Sequence, residues 1–202
     1  FLSCYFDSFE VENKFQNLIN DSTTDFSRYT FFYVNYLLKK NYQKKANLVL
    51  INTLNDVPRN LLLNQLYSDI QKEKQNHLQN TFNCKNVSNI IGEIFYITAN
   101  ALSTQELFSL SNFYINLAKY LNQNFFSYNS LLAENFTRIE DYQKANKIFL
   151  LLKKFGQHYS WHSSKQIALI DTEKLQSEKA ITKLKKDYKN LREPNTYQTF
   201  DF

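Results

Sequence analysis

Apolar residues recur along most of this chain at the spacing of amphipathic α-helices. In the segment 26–40 they share one face of a helix with 3.6 residues per turn, at Phe26, Tyr29, Tyr33, Val34, Leu37 and Leu38. The same pattern predicts helices at 26–40, 42–54, 61–78, 87–102, 105–121, 125–139, 141–155, 158–170 and 172–191. The connections between these predicted helices are only a few residues long, so successive helices must be antiparallel neighbours. We therefore expect an all-α stack of helical hairpins.

Composition supports this prediction and excludes several other classes. Apolar residues make up 43% of the 202 residues, which is enough for a sizeable core. Two glycines and two prolines are too few for the many tight turns of a β-sandwich or barrel. Gly92 and Gly156 stand alone, so no glycine-rich phosphate loop exists.

Charge and cysteine content add little chemistry. The net charge of +5 is spread along the chain, and the basic stretch 183–192 is expected to be a solvated helix face. No apolar run reaches 18 residues, so no transmembrane helix is expected. Cys4 and Cys84 lack the spacing of a zinc site, and two cysteines make a disulfide framework unexpected.

The chain contains no methionine, and we therefore interpret it as part of a longer protein. Its abundant Asn, Lys, Phe, Tyr and Ile are typical of an AT-rich genome. The few cysteines fit a cytoplasmic location in a bacterium, but a periplasmic one also stays open.

A pattern of residue sizes spans the predicted helices at 125–139 and 141–155. Small residues at helix crossings allow close approach, and aromatic residues fill the space between hairpins. The positions are Asn129, Leu132, Ala133, Phe136, Ala145, Phe149 and Leu152. This pattern resembles the tetratricopeptide repeat, although Asn129 and Leu152 replace the family's usual Trp and Ala. The resemblance implies an α-solenoid of antiparallel hairpins with a right-handed superhelix.

Three further copies resemble the same repeat. The upstream copy has Tyr33, Val34, Leu37, Ala46, Leu50 and Pro58, and the downstream copy has Trp161, Ile167, Ala168, Ala180, Leu184 and Pro194. A stretched copy pairs Ile91, Gly92 and Phe95 with Ser111, Ile115 and Ala118, if about three extra residues lie in its connection. The segment from Val87 onward also resembles part of the long tetratricopeptide proteins of alphaproteobacteria.

These copies divide the chain, which we interpret as one solenoid segment. Repeats are expected at about 27–58, 86–125, 126–159 and 160–194, with an irregular hairpin at 59–85 and the start of another repeat at 195–202.

No catalytic or metal-binding constellation can be assembled from the sequence. His158 and His162 have the i, i+4 spacing of zinc ligands, but no third ligand lies near them. Glu140 and Asp141 fall at a turn between helices, where acidic residues suit a helix N-terminus. No Ser or Cys lies in a recognisable nucleophile context. We therefore expect a non-enzymatic protein without cofactor or metal.

The family resemblance implies a concave groove lined by the first helix of each repeat. Its candidate residues are Arg28, Asn35, Lys39, Asn89, Glu93, Ser130, Glu134, Thr137, Arg138, His162 and Lys165. Such side chains suit an extended peptide or a helix, so we expect a protein-binding scaffold module. Two alternatives stay open, an RNA-binding helical repeat and the recognition arm of a larger enzyme. Glu93 and Glu134 argue against the continuous basic groove that RNA would need.

Overall fold

A computed structural model of the protein describes residues 1–21, 26–72, 81–173 and 177–191. Every regular element in these ranges is helical, which confirms the predicted all-α class. The α-helices are α1 Leu2–Tyr5, α2 Val11–Ile19, α3 Ser27–Lys39, α4 Gln43–Asp56, α5 Leu61–Gln71, α6 Val87–Thr104, α7 Phe108–Leu121, α8 Tyr128–Arg138, α9 Tyr142–Leu152, α10 Gln157–Glu173 and α11 Ser177–Lys189. A 3₁₀ turn, Lys153–Phe155, follows α9.

The predicted helices agree with α3 to α11 to within a few residues at most ends. Two helices were not predicted: α1 has only four residues, and α2 has only nine. The predicted helix at 61–78 corresponds to α5, but residues 73–80 lie outside the described residues. Pro194 and the predicted repeat start at 195–202 also lie outside them.

The chain forms two compact units. The first comprises Phe1–Glu93 and Tyr120–Phe125, and the second comprises Ile94–Lys119 and Phe126–Phe202. In the first unit α3 packs against α2, α4 and α5, and the ring of Phe15 stacks on that of Tyr33 at 5.2 Å. In the second unit α9 packs against both α8 and α10, and α10 packs against α11. Each unit therefore has its own helical core.

The same turn joins the helices of three hairpins. Asn41, Glu106 and Glu140 each adopt a left-handed backbone, with φ of 61°, 62° and 61° respectively. In each case the next residue's N–H donates to the carbonyl five residues before it, at 2.9 Å, in the pairs Tyr42–Leu37, Leu107–Leu102 and Asp141–Phe136. This six-to-one bond is that of a Schellman motif, which satisfies carbonyls at the end of the first helix.

The hairpins also share their buried positions when counted from this turn. Seven residues before the left-handed residue lies Val34, Ala99 or Ala133, all fully buried. Five and nine residues after it lie the buried pairs Ala46 and Leu50, Ser111 and Ile115, and Ala145 and Phe149. The sequence pattern aligns Gly92 with Ala133, which requires about three extra residues in the connection between α6 and α7. In the structure Ala99 is the equivalent of Ala133, and no extra residues are required.

A disulfide joins Cys4 to Cys84 in the first unit, with their Cα atoms 5.9 Å apart. The expectation that these two cysteines form no disulfide framework was therefore wrong. Lys85 reinforces the link, because its Nζ donates to the Tyr5 carbonyl at 2.7 Å. The Phe1 ring also lies 5.4 Å from that of Phe82. The segment around α1 is thus fixed covalently and by packing to the residues that precede α6.

Candidate functional site

Two of the predicted groove residues form a buried ion pair in the first unit. Arg28 of α3 donates to both carboxylate oxygens of Glu93 on α6, through Nε at 2.5 Å and a terminal nitrogen at 3.0 Å. The Glu93 side chain is 0% exposed. The Arg28 guanidinium also lies 5.1 Å from the Phe125 ring centroid. A bidentate interaction of this kind fixes the relative orientation of the two side chains as well as pairing their charges. The pair therefore links α3 to α6.

The other predicted residues in the first unit also face their own chain. Lys39 donates from Nζ to the carbonyl of Phe82 at 3.0 Å, and partial burial lowers its pKa. Asn89 accepts the backbone N–H of Asn83 at 2.9 Å. Asn35 is only 2% exposed. In this unit Asn35 and Asn89 are therefore buried, whereas Lys39 is exposed and bonds its own chain.

The predicted residues of α8 lie in the second unit and differ in exposure. Glu134 and Arg138 are exposed, while Ser130 and Thr137 are half-buried. Thr137 donates its hydroxyl to the Ala133 carbonyl of its own helix at 3.0 Å. Among these four residues, Glu134 and Arg138 therefore carry the most accessible polar groups.

The environment of Glu134 combines solvent access with crowding. Surrounding protein atoms raise the pKa of its carboxyl, and the nearby positive charge of Arg138 opposes that effect. The carboxyl therefore stands exposed on α8 near a basic side chain of the same helix.

The two predicted residues of α10, His162 and Lys165, are both half-buried. The His162 ring centroid lies 6.2 Å from that of Phe149 on α9. Helix α9 packs against both α8 and α10 and so fixes these two helices within the second unit.

A buried polar network that the sequence analysis missed positions α8. Asn135 donates from Nδ2 to Ser111 Oγ and to Asn112 Oδ1, both at 2.8 Å, and its Oδ1 accepts the Ser103 hydroxyl at 2.6 Å. Ser111 in turn donates to the Ala99 carbonyl at 2.7 Å. This network joins α6, α7 and α8, so it stabilises the position of α8 relative to the other two helices.

The shared turn also identifies surface positions that the sequence analysis did not find. Counted from the left-handed residue, the equivalents of Glu134 and Arg138 on α6 are Asn100 and Thr104. Both are exposed and belong to the second unit. The sequence could not indicate them because its register on α6 was displaced towards Glu93.

His158 and Asp141, which the sequence offered as a metal ligand and as an acid/base group, occupy positions typical of structural residues. His158 is buried. Asp141 caps α9, as the sequence predicted, by accepting the N–H of Lys144 at 3.1 Å. Hydrogen bonds from Lys144 are the main reason that the pKa of Asp141 is lowered. Among the described residues, no group of three His, Cys, Asp or Glu side chains is placed to hold a metal ion.

None of the described helices combines the length and the apolar character needed to cross a membrane. Comparisons of the chain with protein-family models, curated proteins and solved structures gave no match.

Proposed function

We propose that this chain is a non-enzymatic protein-interaction module, a segment of an α-solenoid built from tetratricopeptide-like hairpins. The observation that carries the proposal is the recurrence of one hairpin. Asn41, Glu106 and Glu140 share the same left-handed turn, and the positions counted from it are buried alike. Hairpins that repeat in this way stack on their neighbours and leave a continuous surface formed by their first helices.

The partner-binding surface is proposed to lie on the first helices of the second unit. Glu134 and Arg138 are exposed there, whereas Arg28 and Glu93 of the first unit bind each other. With Asn100 at the equivalent position of α6, the surface carries acidic, basic and amide groups together. Such a mixture suits the backbone and side chains of a peptide or a helix better than a polyanion.

Selection from a random peptide library on the immobilised chain tests this function. We expect enriched peptides whose affinity falls about tenfold when Glu134→Lys or Arg138→Glu reverses a charge, since one lost charge-assisted contact costs roughly that factor. The matched controls are Glu178→Lys and Lys185→Glu, which reverse exposed charges on α11. They should change affinity less than twofold.

Two results would contradict the proposal. One is the absence of any enriched peptide, and the other is equal binding by the α8 and α11 variants. Capture from lysate with and without nuclease adds a separate test of the alternative, because recovery that collapses with nuclease would favour RNA over a protein partner.

A further inference from the structure

Segment 1–10, which contains α1, lies against the aromatic side of α3 in the first unit. The ring of Phe1 lies 5.1 Å from that of Phe32 and 5.8 Å from that of Tyr29. It also contacts Phe82, whose ring lies 4.5 Å from that of Phe32. Phe32 and Phe82 are only 2% and 3% exposed. The segment therefore covers part of an aromatic cluster formed by α3 and the residues before α6.

The segment itself buries little of its own surface. Leu2, Phe6 and Phe9 carry large apolar side chains, yet they are 70%, 73% and 95% exposed. Cys4, at 3% exposed, is the buried side chain of this range. A segment with so few buried contacts opens easily once it is no longer held by a covalent bond.

Two attachments join the segment to the residues before α6. One is the disulfide between Cys4 and Cys84. The other is Lys85, whose Nζ donates to the Tyr5 carbonyl at 2.7 Å and pairs with the carboxylate of Asp7. Both members of that ion pair are exposed to solvent, and exposed pairs contribute little to stability. The disulfide is therefore the stronger of the two attachments.

The helix that follows the segment is anchored separately. Helix α2 begins at Val11, which is 2% exposed, and its Phe15 ring stacks on that of Tyr33 in α3 at 5.2 Å. Between α1 and α2 the backbone bends at Asp7, which has a φ of 52°. Segment 1–10 can therefore leave α3 by rotation near this bend while α2 stays packed.

We propose that the disulfide is a redox switch that holds segment 1–10 as a strap over the aromatic cluster of α3. In the oxidised chain the strap covers the rings of Phe32 and Phe82. In the reduced chain the strap detaches, the two rings gain contact with solvent, and the helices α2 to α5 stay folded. The device is an order-to-disorder transition of one segment, controlled by one covalent bond.

The reductant is a dithiol, and the exchange proceeds in two steps. Cys84 is half-buried and Cys4 is buried, so a thiolate of the dithiol attacks the Cys84 sulfur. This attack forms a mixed disulfide with Cys84 and releases Cys4 as a thiolate, which takes up a proton. The second thiolate of the reductant then displaces Cys84, which is protonated in turn. The dithiol ends as a disulfide, and the chain has gained two electrons and two protons.

Amide hydrogen exchange of the full chain, followed by mass spectrometry before and after treatment with dithiothreitol, tests the proposal. We expect exchange in residues 2–9 to rise at least about tenfold on reduction, and exchange in α3 to change less than about twofold. Binding of 8-anilinonaphthalene-1-sulfonate should rise as well, because this dye reports exposed apolar surface. A chain with both Cys4→Ser and Cys84→Ser should show the released pattern without reductant and should not respond to dithiothreitol.

The control Lys85→Ala removes the other attachment and leaves the disulfide in place. In the oxidised chain it should change exchange in residues 2–9 by less than about twofold. The proposal is overturned if reduction leaves these residues protected, if reduction raises exchange across α3 to α5 as much as in the strap, or if Lys85→Ala alone releases the strap. None of these results bears on Glu134 and Arg138, so the two proposals fail separately.

Discussion

Replacing Asn135 with Ala would remove the centre of the polar network that supports α8. Asn135 is 1% exposed, so water cannot readily take the place of its amide. The truncation leaves Asn112 without its donor and Ser103 without its acceptor. Ser111 keeps its bond to the Ala99 carbonyl at 2.7 Å. The damage is therefore confined to the contacts of one side chain.

The structure sets the size of the effect. Asn135 takes part in two hydrogen bonds of 2.8 Å and one of 2.6 Å. At a net value of about 1 kcal/mol for each buried hydrogen bond, their loss lowers the free energy of unfolding by about 3 kcal/mol. For a urea m-value of about 2 kcal/mol/M, the unfolding midpoint falls by about 1.5 M.

Urea unfolding followed by tryptophan fluorescence measures this change. Trp161 is the chain's single tryptophan, is 1% exposed and belongs to the same unit as Asn135. The matched control is Asn116→Ala on α7, whose exposed amide bonds only its own helix. It should change stability by less than about 0.5 kcal/mol. If Asn135→Ala moves the midpoint no further than this control, the network does not support α8 as described.

Three further predictions concern other contacts. Glu93→Gln removes the carboxylate that binds the Arg28 guanidinium, so urea unfolding followed by circular dichroism should show a loss of about 3 kcal/mol, and unchanged stability would refute a buried pair. Reducing the disulfide, which spans a sequence separation of 80, should lower stability by about 4 kcal/mol, and equal midpoints with and without dithiothreitol would count against the link. Burial alone would raise the pKa of Asp187, but hydrogen bonds from Lys153 and Ser164 lower it below its ordinary value of 3.8. The resulting stability is present above about pH 4 and is lost as pH falls through the lower folded pKa. Lys153→Ala should therefore lower the free energy of unfolding at pH 7 and weaken the dependence of that free energy on pH in the acid range. The neighbouring Lys154→Ala should do neither.

The periodic part of the fold could be predicted from the sequence. Helices α3, α4, α8 and α9 follow directly from apolar spacing, because one face of each is buried along most of its length. The short α1 and α2 could not be predicted, since four and nine residues carry too few repeats of the pattern.

Register and burial of polar groups were harder to predict. The turn at Glu106 has no sequence signal, because a left-handed backbone usually indicates Gly or Asn rather than Glu. The burial of Glu93 depends on Arg28, which is 65 residues away. A pattern that is read along one helix contains no information about such a distant partner. The role of Asn135 was missed for the same reason.

The recurring turn explains how this hairpin can persist while its sequence changes. Its left-handed position accepts Asn or Glu and does not require glycine, of which the whole chain has only two. The buried positions counted from the turn hold Val or Ala, Ser or Ala, and Leu, Ile or Phe. The three hairpins are therefore specified by one backbone bond and a few buried sites, and they are alike in backbone geometry while their residues differ.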